Sequence, residues 1–109
     1  MQITALKHLP TRELFPGYRA RLVHSDRMTF SYVDVDAGAS FAEHDHPHEQ
    51  VIHLLDGEFE LTIDGETRRM TAGEVAVVPP GARHRGTALT PCRILDAFAP
   101  PREDYRDRR

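Results

Sequence analysis

Three histidines lie within five residues of this 109-residue chain, at His44, His46 and His48. Imidazole nitrogen is the commonest protein ligand of divalent transition metals, and a metal site needs at least three such donors on a rigid frame. Side chains two apart in a strand point to one face, so His44, His46 and Gln50 are predicted to face the same way. This stretch therefore predicts two imidazole ligands and one amide carbonyl ligand for a metal ion.

A fourth ligand has to come from a neighbouring strand, and His84 is the candidate. It ends the segment PPGARH, whose turn can direct the side chain back towards the sheet. All four donors are neutral, so a bound divalent ion keeps its full charge and is a strong Lewis acid. Zinc, nickel, manganese, iron and cobalt all accept such donors, and the sequence does not choose among them. Pro47 interrupts the strand before His48, so we expect His48 at the rim of the site or behind the ligands.

A carboxylate interrupts the last apolar segment of the chain, ILDAFA. Ile94, Asp96 and Phe98 share one face of the predicted strand. A carboxylate among such residues is costly if it stays unpaired. Two explanations remain open. In the first, this face is exposed to solvent or Asp96 pairs with an arginine such as Arg93 or Arg102. In the second, Asp96 lies inside a pocket. In a pocket, burial raises the pKa of the carboxyl group and a nearby cation lowers it, which suits a general acid/base.

Short strands are the elements that must position these groups. Eight prolines and seven glycines separate short apolar segments, which indicates strands rather than long helices. The clearest case is residues 58–63, where apolar and polar residues alternate before the turn Asp64-Gly65. Further strands are predicted near residues 19–24, 28–35, 51–55, 74–78 and 92–99, with short helices only in the first fifteen or last eight residues. This pattern is typical of an all-β sandwich or small barrel.

The composition excludes several classes of function. The formal charge is −3 with both signs interspersed, so neither a nucleic-acid surface nor a membrane-binding face is expected. The apolar runs are too short to cross a bilayer. The segment MQITALKHLP lacks the apolar core of a signal peptide, and the single Cys92 rules out an internal disulfide. We therefore expect a cytoplasmic protein of one compact domain.

Two motifs make the chain resemble the cupin superfamily. GASFAEHDHPHEQVIHLLDG, residues 38–57, resembles the first cupin motif, although Gln50 stands where glutamate is usual. GEVAVVPPGARH, residues 73–84, resembles the second, although Ala88 stands where asparagine usually follows. The resemblance implies an all-β double-stranded β-helix, the cupin jelly-roll barrel. It also implies one divalent metal per chain, bound by His44, His46, Gln50 and His84.

The resemblance also sets the expected organisation of the chain. Residues 1–109 are expected to form a single cupin domain with a short N-terminal extension. The core barrel is predicted to span about residues 19–100, followed by a charged C-terminal tail, residues 101–109. Small cupins often pair through edge strands, which otherwise invite aggregation, so a homodimer is expected.

Residues 28–105 resemble more closely the small cupins of pectin and alginate catabolism. Those proteins convert 4,5-unsaturated uronate monosaccharides into the linear 5-keto-4-deoxyuronate. The resemblance implies a small anionic sugar as substrate, with the metal as Lewis acid. It implies that Asp96 is the catalytic acid/base, that Phe98 walls the cavity and that Arg102 binds the substrate carboxylate during catalysis.

Other activities of this superfamily remain open. A cupin dioxygenase would need a redox metal with free coordination positions. A non-catalytic sugar-acid-binding or sensor cupin would need no proton carrier, and a cupin isomerase or polyketide cyclase is a further possibility. Asp96 discriminates among them, because ring opening needs a proton carrier beside the metal and binding alone does not.

Overall fold

The computed structural model describes residues 1–106. Ten strands and two short 3-10 helical turns, Leu6–His8 and Glu103–Tyr105, make up its regular structure. The strands are β1 (Arg12–Phe15), β2 (Tyr18–His24), β3 (Thr29–Val35), β4 (Ser40–His44), β5 (Glu49–Asp56), β6 (Glu58–Ile63), β7 (Glu66–Thr71), β8 (Val75–Val78), β9 (His84–Ala88) and β10 (Cys92–Ala99). No helix among residues 1–106 is long and apolar enough to span a bilayer.

The strands form two antiparallel sheets. One has six strands in the order β1-β2-β3-β10-β5-β8, and the other has four in the order β4-β9-β6-β7. Buried apolar side chains from both sheets form one hydrophobic core; among them are Val33, Ile52, Leu54, Phe59, Leu61 and Ile94. The predicted all-β jelly-roll class is confirmed.

The two Asp-Gly pairs have different roles. Asp64-Gly65 closes the β6–β7 hairpin with positive φ angles of 48° and 81°, the conformation that such a pair favours. Asp56-Gly57 connects β5 of the large sheet to β6 of the small one. Thr62 on β6 is buried and shares a 2.7 Å hydrogen bond with Thr67. The hydroxyl pair compensates for burying that polar position.

Both terminal segments belong to the folded unit. Strand β1 pairs with β2, so the sheet starts before residue 19. At the other end Arg102 is only 6% exposed, so its segment is packed rather than solvated. Arg12 Nη1 donates a 2.7 Å hydrogen bond to the carbonyl oxygen of Tyr105, which joins the two ends. The rest of the predicted charged tail, residues 107–109, lies outside the described residues.

Gly86 lets β9 approach two aromatic rings of the core. A Cβ atom at this position would lie 2.3 Å from the Phe59 ring and 2.9 Å from the Phe41 ring. Phe41 in turn contacts the His44 and His84 rings at centroid distances of 5.2 and 5.9 Å. The absence of a side chain at Gly86 therefore allows an aromatic floor to form under two of the histidines.

Candidate metal centre and cavity

Three of the predicted ligands converge. His44 at the end of β4 and His84 at the start of β9 are directly paired across the small sheet, with ring centroids 4.4 Å apart. The His46 ring lies 5.0 Å from His84 and 5.7 Å from His44. One ring nitrogen from each of the three lies within 4.8 Å of the other two, so the cluster can hold a metal ion.

Backbone carbonyl groups orient all three imidazoles. Each Nδ1 donates to a carbonyl oxygen: His44 to Ala42 (2.9 Å), His46 to His48 (3.0 Å) and His84 to Ala82 (2.9 Å). Since a carbonyl oxygen only accepts, each Nδ1 carries the hydrogen and each Nε2 keeps its lone pair. Metal-binding histidines are commonly held in this way. His84 Nε2 is buried without a partner, as expected for an atom whose partner would be a cation.

Gln50 completes the predicted donor set. Its side chain is 6% exposed and its Oε1 lies 3.0 Å from His46 Nε2. Two lone-pair atoms at this distance repel each other unless a positive charge lies between them. Ligands at right angles on one ion, each about 2.1 Å from it, are themselves about 3 Å apart. The donor spacing therefore fits a bound cation.

The route by which these donors meet differs from the sequence prediction. The prediction that His44, His46 and Gln50 share one face of a single strand was wrong. Strand β4 ends at His44, His46 lies in the following loop, and Gln50 belongs to β5 in the other sheet. Pro47 cannot donate a ladder hydrogen bond, which explains why the strand stops there. The donors consequently span the junction between the two sheets.

Burial keeps two of the imidazoles neutral. Desolvation lowers the pKa of His46 and of His84 below the ordinary value of 6.5. For His46 the Gln50 oxygen 3.0 Å from Nε2 opposes this shift, because it stabilises the protonated ring, and for His84 the bond to the Ala82 carbonyl does so. Neutral imidazole is the form that binds metals.

Asp96 lies in the cavity and not in an ion pair. It lies on β10 between the buried residues Ile94 and Phe98, and its Oδ1 is shut off from solvent without a hydrogen-bond partner. Within residues 1–106 the two candidate arginines have other partners, since Arg93 pairs with Asp34 and Arg102 pairs with Asp104. Burial raises the pKa of Asp96 to about 7, and the Gln50 side chain and the Arg102 charge oppose this rise.

Aromatic rings and an ion pair fix Arg102. The guanidinium carbon lies 4.8 Å from the Phe98 ring centroid and 3.9 Å from that of Tyr105. Nε and Nη2 donate to the Asp104 carboxylate at 2.9 and 2.7 Å. The backbone N–H donates to Thr29 Oγ1 at 2.9 Å, across a sequence separation of 73 residues. Arg102 is therefore held at the cavity and is not a mobile tail residue.

A small cavity brings most of these groups together. Its volume is about 30 Å³, and the predicted site residues that line it are His44, Gln50, His84, Asp96, Phe98 and Arg102. That space suits about one water molecule or an ion and is too small for a sugar. The cavity is also lined by Phe15, Tyr18 and Tyr105, which the sequence did not predict as site residues. Of the three, only Tyr18 has a sequence signal, because it starts a strand directly after Pro16-Gly17.

The other basic residues near the motifs do not enter the cavity. The His48 ring lies 5.4 Å from His46, and its backbone carbonyl orients that ligand, which matches the expected place behind the ligands. Arg83 is exposed and lies 3.5 Å from Glu43. Arg85 is exposed as well. Arg83 and Arg85 are therefore part of the surface, whereas His48 is half-buried behind the cluster.

Comparison with known proteins agrees with this architecture. A family model described as "Cupin domain" matches residues 31–98, more than half of the chain. The pectin degradation protein KdgF of Dickeya dadantii (strain 3937) is 29% identical over 99 residues, which cover 88% of this chain and 90% of that protein.

Solved structures give the same result. The structure of KdgF from Halomonas sp. has a TM-score of 0.90 and 28% identity, covering 97% of this chain and 99% of that one. An RmlC-like cupin from Shewanella frigidimarina NCIMB 400 has a TM-score of 0.91 and 26% identity, covering 97% of this chain and 96% of that one. The chain belongs to the cupin domain family.

Proposed function

We propose that this cupin is a metal-dependent enzyme that opens the ring of 4,5-unsaturated uronate monosaccharides to give the linear 5-keto-4-deoxyuronate. One observation carries the proposal: a buried, unpartnered carboxyl oxygen of Asp96 shares a cavity with a histidine cluster that can hold a metal. The similarity to KdgF proteins, one of them named for pectin degradation, supports this substrate class.

His44, His46, Gln50 and His84 would hold one divalent transition metal per chain, with zinc, nickel, manganese, iron or cobalt as candidates. Such an ion, once bound, supplies Lewis-acid attraction for substrate oxygens without a change of oxidation state. The uncharged donors support this role, because they leave the positive charge of the ion for an anionic ligand.

Arg102 would bind the substrate carboxylate. Its ion pair with Asp104 uses two of five guanidinium N–H groups, so others remain for a second carboxylate. A fork of such donors matches a carboxylate in bidentate geometry. Phe98, which stacks against the guanidinium, would form the wall against which the sugar ring lies.

Asp96 would carry the proton. It accepts the proton of the anomeric hydroxyl while the bond between C1 and the ring oxygen breaks, which leaves an aldehyde at C1 and an enolate across C4 and C5. Asp96 then returns the proton to C4, the enolate becomes the C5 ketone, and the carboxylate is restored. Substrate and product are isomers, so the reaction needs neither water nor an oxidant. The unpartnered carboxyl oxygen, Oδ1, is free to take and return this proton.

The proposal is tested with monomers generated by pectate and alginate lyases. The metal-loaded protein is expected to accelerate the loss of the ultraviolet absorbance of the C4–C5 double bond beyond the spontaneous rate. A rate equal to the spontaneous one would reject ring opening. Binding of the same monomers without acceleration would favour the non-catalytic sugar-acid-binding alternative.

A further inference from the structure

One buried hydroxyl has no role in the reaction described above. Tyr18, the first residue of β2, is 5% exposed, and its phenol oxygen is shut off from solvent without a hydrogen-bond partner. Edge-on contacts with Phe15 and Phe41, at centroid distances of 5.8 and 5.9 Å, fix its ring. Packing therefore sets the position of this hydroxyl, since no hydrogen bond does so. A buried polar group in this state is rare and calls for an explanation.

The unpartnered groups cluster at the cavity. Within residues 1–106, side-chain atoms of this kind occur in Tyr18, Arg21, Ser31, His48, His84 and Asp96. Three of these residues, Tyr18, His84 and Asp96, line the one small cavity. A bound cation would explain the unpartnered Nε2 of His84, and a role in proton transfer would explain the unpartnered Oδ1 of Asp96. The Tyr18 hydroxyl is left as a cavity-lining donor that a bound ligand can satisfy.

Tyr18 and Arg102 reach the cavity from opposite ends. Arg102 is tied to Thr29 at the start of β3, whereas Tyr18 is paired with Val35 at the end of the same strand. Six residue steps along a strand separate these positions by about 20 Å. Both side chains nevertheless line the same cavity. They therefore reach a ligand bound in that cavity from opposite directions, Arg102 from one end of β3 and Tyr18 from the other.

The chemistry of the phenol makes it a hydrogen-bond donor here. Burial, followed by the nearby Asp96 carboxyl group, raises the pKa of Tyr18 above its ordinary value of 10. The group therefore keeps its proton at neutral pH and can donate to a neutral oxygen. An anionic carboxylate is better matched by Arg102, which leaves a hydroxyl or carbonyl oxygen as the partner for Tyr18.

We propose that Tyr18 is a substrate-contacting residue whose hydroxyl donates a hydrogen bond to a ring-side hydroxyl or carbonyl oxygen of the sugar acid, at the end away from its carboxylate. The assignment rests on the proposed function for the identity of the ligand. It makes Tyr18 a specificity residue: sugar acids gain affinity from it, and small carboxylates that lack the distal oxygen do not. Because this contact exists in the bound substrate as well as in the transition state, it acts mainly on KM.

The test compares Tyr18→Phe with Tyr32→Phe in the metal-loaded protein. The first variant removes the unpartnered oxygen and keeps the ring, so folding and metal content are expected to be unchanged. Tyr32 is the matched control, because it lies on β3 beside the cavity-lining Val33 and faces the opposite side of the sheet. Titration calorimetry is carried out with galacturonate and with acetate. Acetate has only the carboxylate, so the difference between the two affinities reports the contact to the distal oxygen.

Tyr18→Phe is expected to weaken galacturonate binding about 3- to 10-fold, the worth of one hydrogen bond, and to leave acetate binding unchanged. With the unsaturated uronate, KM is expected to rise by a similar factor at nearly constant kcat. Tyr32→Phe is expected to match the wild type throughout. Equal galacturonate affinity in Tyr18→Phe and wild type, or no preference of the wild type for galacturonate over acetate, would overturn the assignment. A Tyr18-dependent affinity without accelerated ring opening would instead reject the proposed reaction and retain the contact.

Discussion

The backbone orients the three clustered histidines in a way that suits metal binding. Each Nδ1 hydrogen bond ends on a carbonyl within two residues in sequence, so local chain geometry sets the tautomer. His46 Nε2 also lies 3.0 Å from Gln50 Oε1, which comes from the six-stranded sheet. Loss of one imidazole therefore removes a ligand without disturbing how the others are held.

The metal-binding prediction is tested by replacing His44 and His84 together with alanine. The wild type is expected to purify with about one divalent ion per chain, and the double variant with none, because two neutral donors do not hold such an ion. Elemental analysis measures this directly. His53→Ala is the control, since His53 lies on β5 outside the cluster. Stoichiometric metal in the double variant would refute the site.

The catalytic role of Asp96 is tested by Asp96→Asn, which keeps the size of the side chain. The variant is expected to retain the fold and the metal and to lose at least about 100-fold in kcat, the typical worth of a positioned acid/base. Steady-state rates with the unsaturated uronate, alongside metal content and circular dichroism, provide the measurement. An unchanged kcat would remove Asp96 from the mechanism.

The same substitution has a stability consequence that depends on pH. The carboxyl group loses its proton near pH 3.8 in an unfolded chain and near pH 7 when buried. Between these values the folded state binds the extra proton, so the contribution of Asp96 to stability falls as pH rises through this window. In metal-free protein, Asp96→Asn is expected to be more stable than the wild type at pH 8, by roughly 1–3 kcal/mol, and similar to it at pH 4.

Urea unfolding of the metal-free proteins at both pH values measures this difference. Asp26→Asn is the control, because Asp26 is exposed in the turn between β2 and β3. A stability difference between Asp96→Asn and the wild type that is the same at pH 4 and pH 8 would contradict the assigned burial of the charge.

At the scale of elements, the strands were largely predictable and the site geometry only in part. Residues 92–99 were predicted as the last strand and form β10, because a mostly apolar run of eight residues bounded by prolines is typical of a strand. The residue types and spacing predicted the three histidines that the structure brings together. The positions of His46 and Gln50 did not, because side-chain parity holds only within one strand and the chain changes sheets between them. The burial of Arg102 depends on Thr29, 73 residues away, and no local pattern carries that information.

The elements that close the cavity also limit access to it. Arg102 and Tyr105 of the C-terminal segment line the cavity, as does Phe15 of β1. Arg12 links the two segments by a hydrogen bond to the Tyr105 carbonyl and by the position of its guanidinium 6.0 Å from the Tyr105 ring centroid. A sugar does not fit into about 30 Å³, so these two segments must separate before it enters.

Arg12→Ala tests this gating. Loss of one hydrogen bond is expected to speed amide exchange of peptides that cover residues 101–106 about 3- to 10-fold, while the core strands keep their protection. Hydrogen exchange followed by mass spectrometry resolves the two regions. Lys7→Ala is the control, since it removes an exposed cation from the neighbouring N-terminal turn. Equal exchange of residues 101–106 in Arg12→Ala and wild type would show that the Arg102 contacts alone hold the segment.

At the scale of the whole molecule, the four sheet edges differ in how they are protected. Charged or polar side chains cover three of them: β1 exposes Arg12 and Glu13, β4 exposes Ser40 and Glu43, and β7 exposes Glu66, Arg68 and Arg69. Strand β8 instead exposes Val75 and Val77, at 52% and 57%, beside its unpaired backbone groups. An apolar edge of this kind is a template for pairing with another strand.

We therefore predict that the expected homodimer forms through β8 of each copy, which would extend the six-stranded sheet across a twofold axis. Val77→Lys places a charge next to the same charge of the partner and is expected to shift the protein to monomer at micromolar concentration. Leu89→Lys is the control, at a 42% exposed apolar position outside this edge. Sedimentation velocity distinguishes the two states. A dimer in both variants would place the interface elsewhere, and a monomeric wild type would show that the valines at this edge are tolerated without a partner.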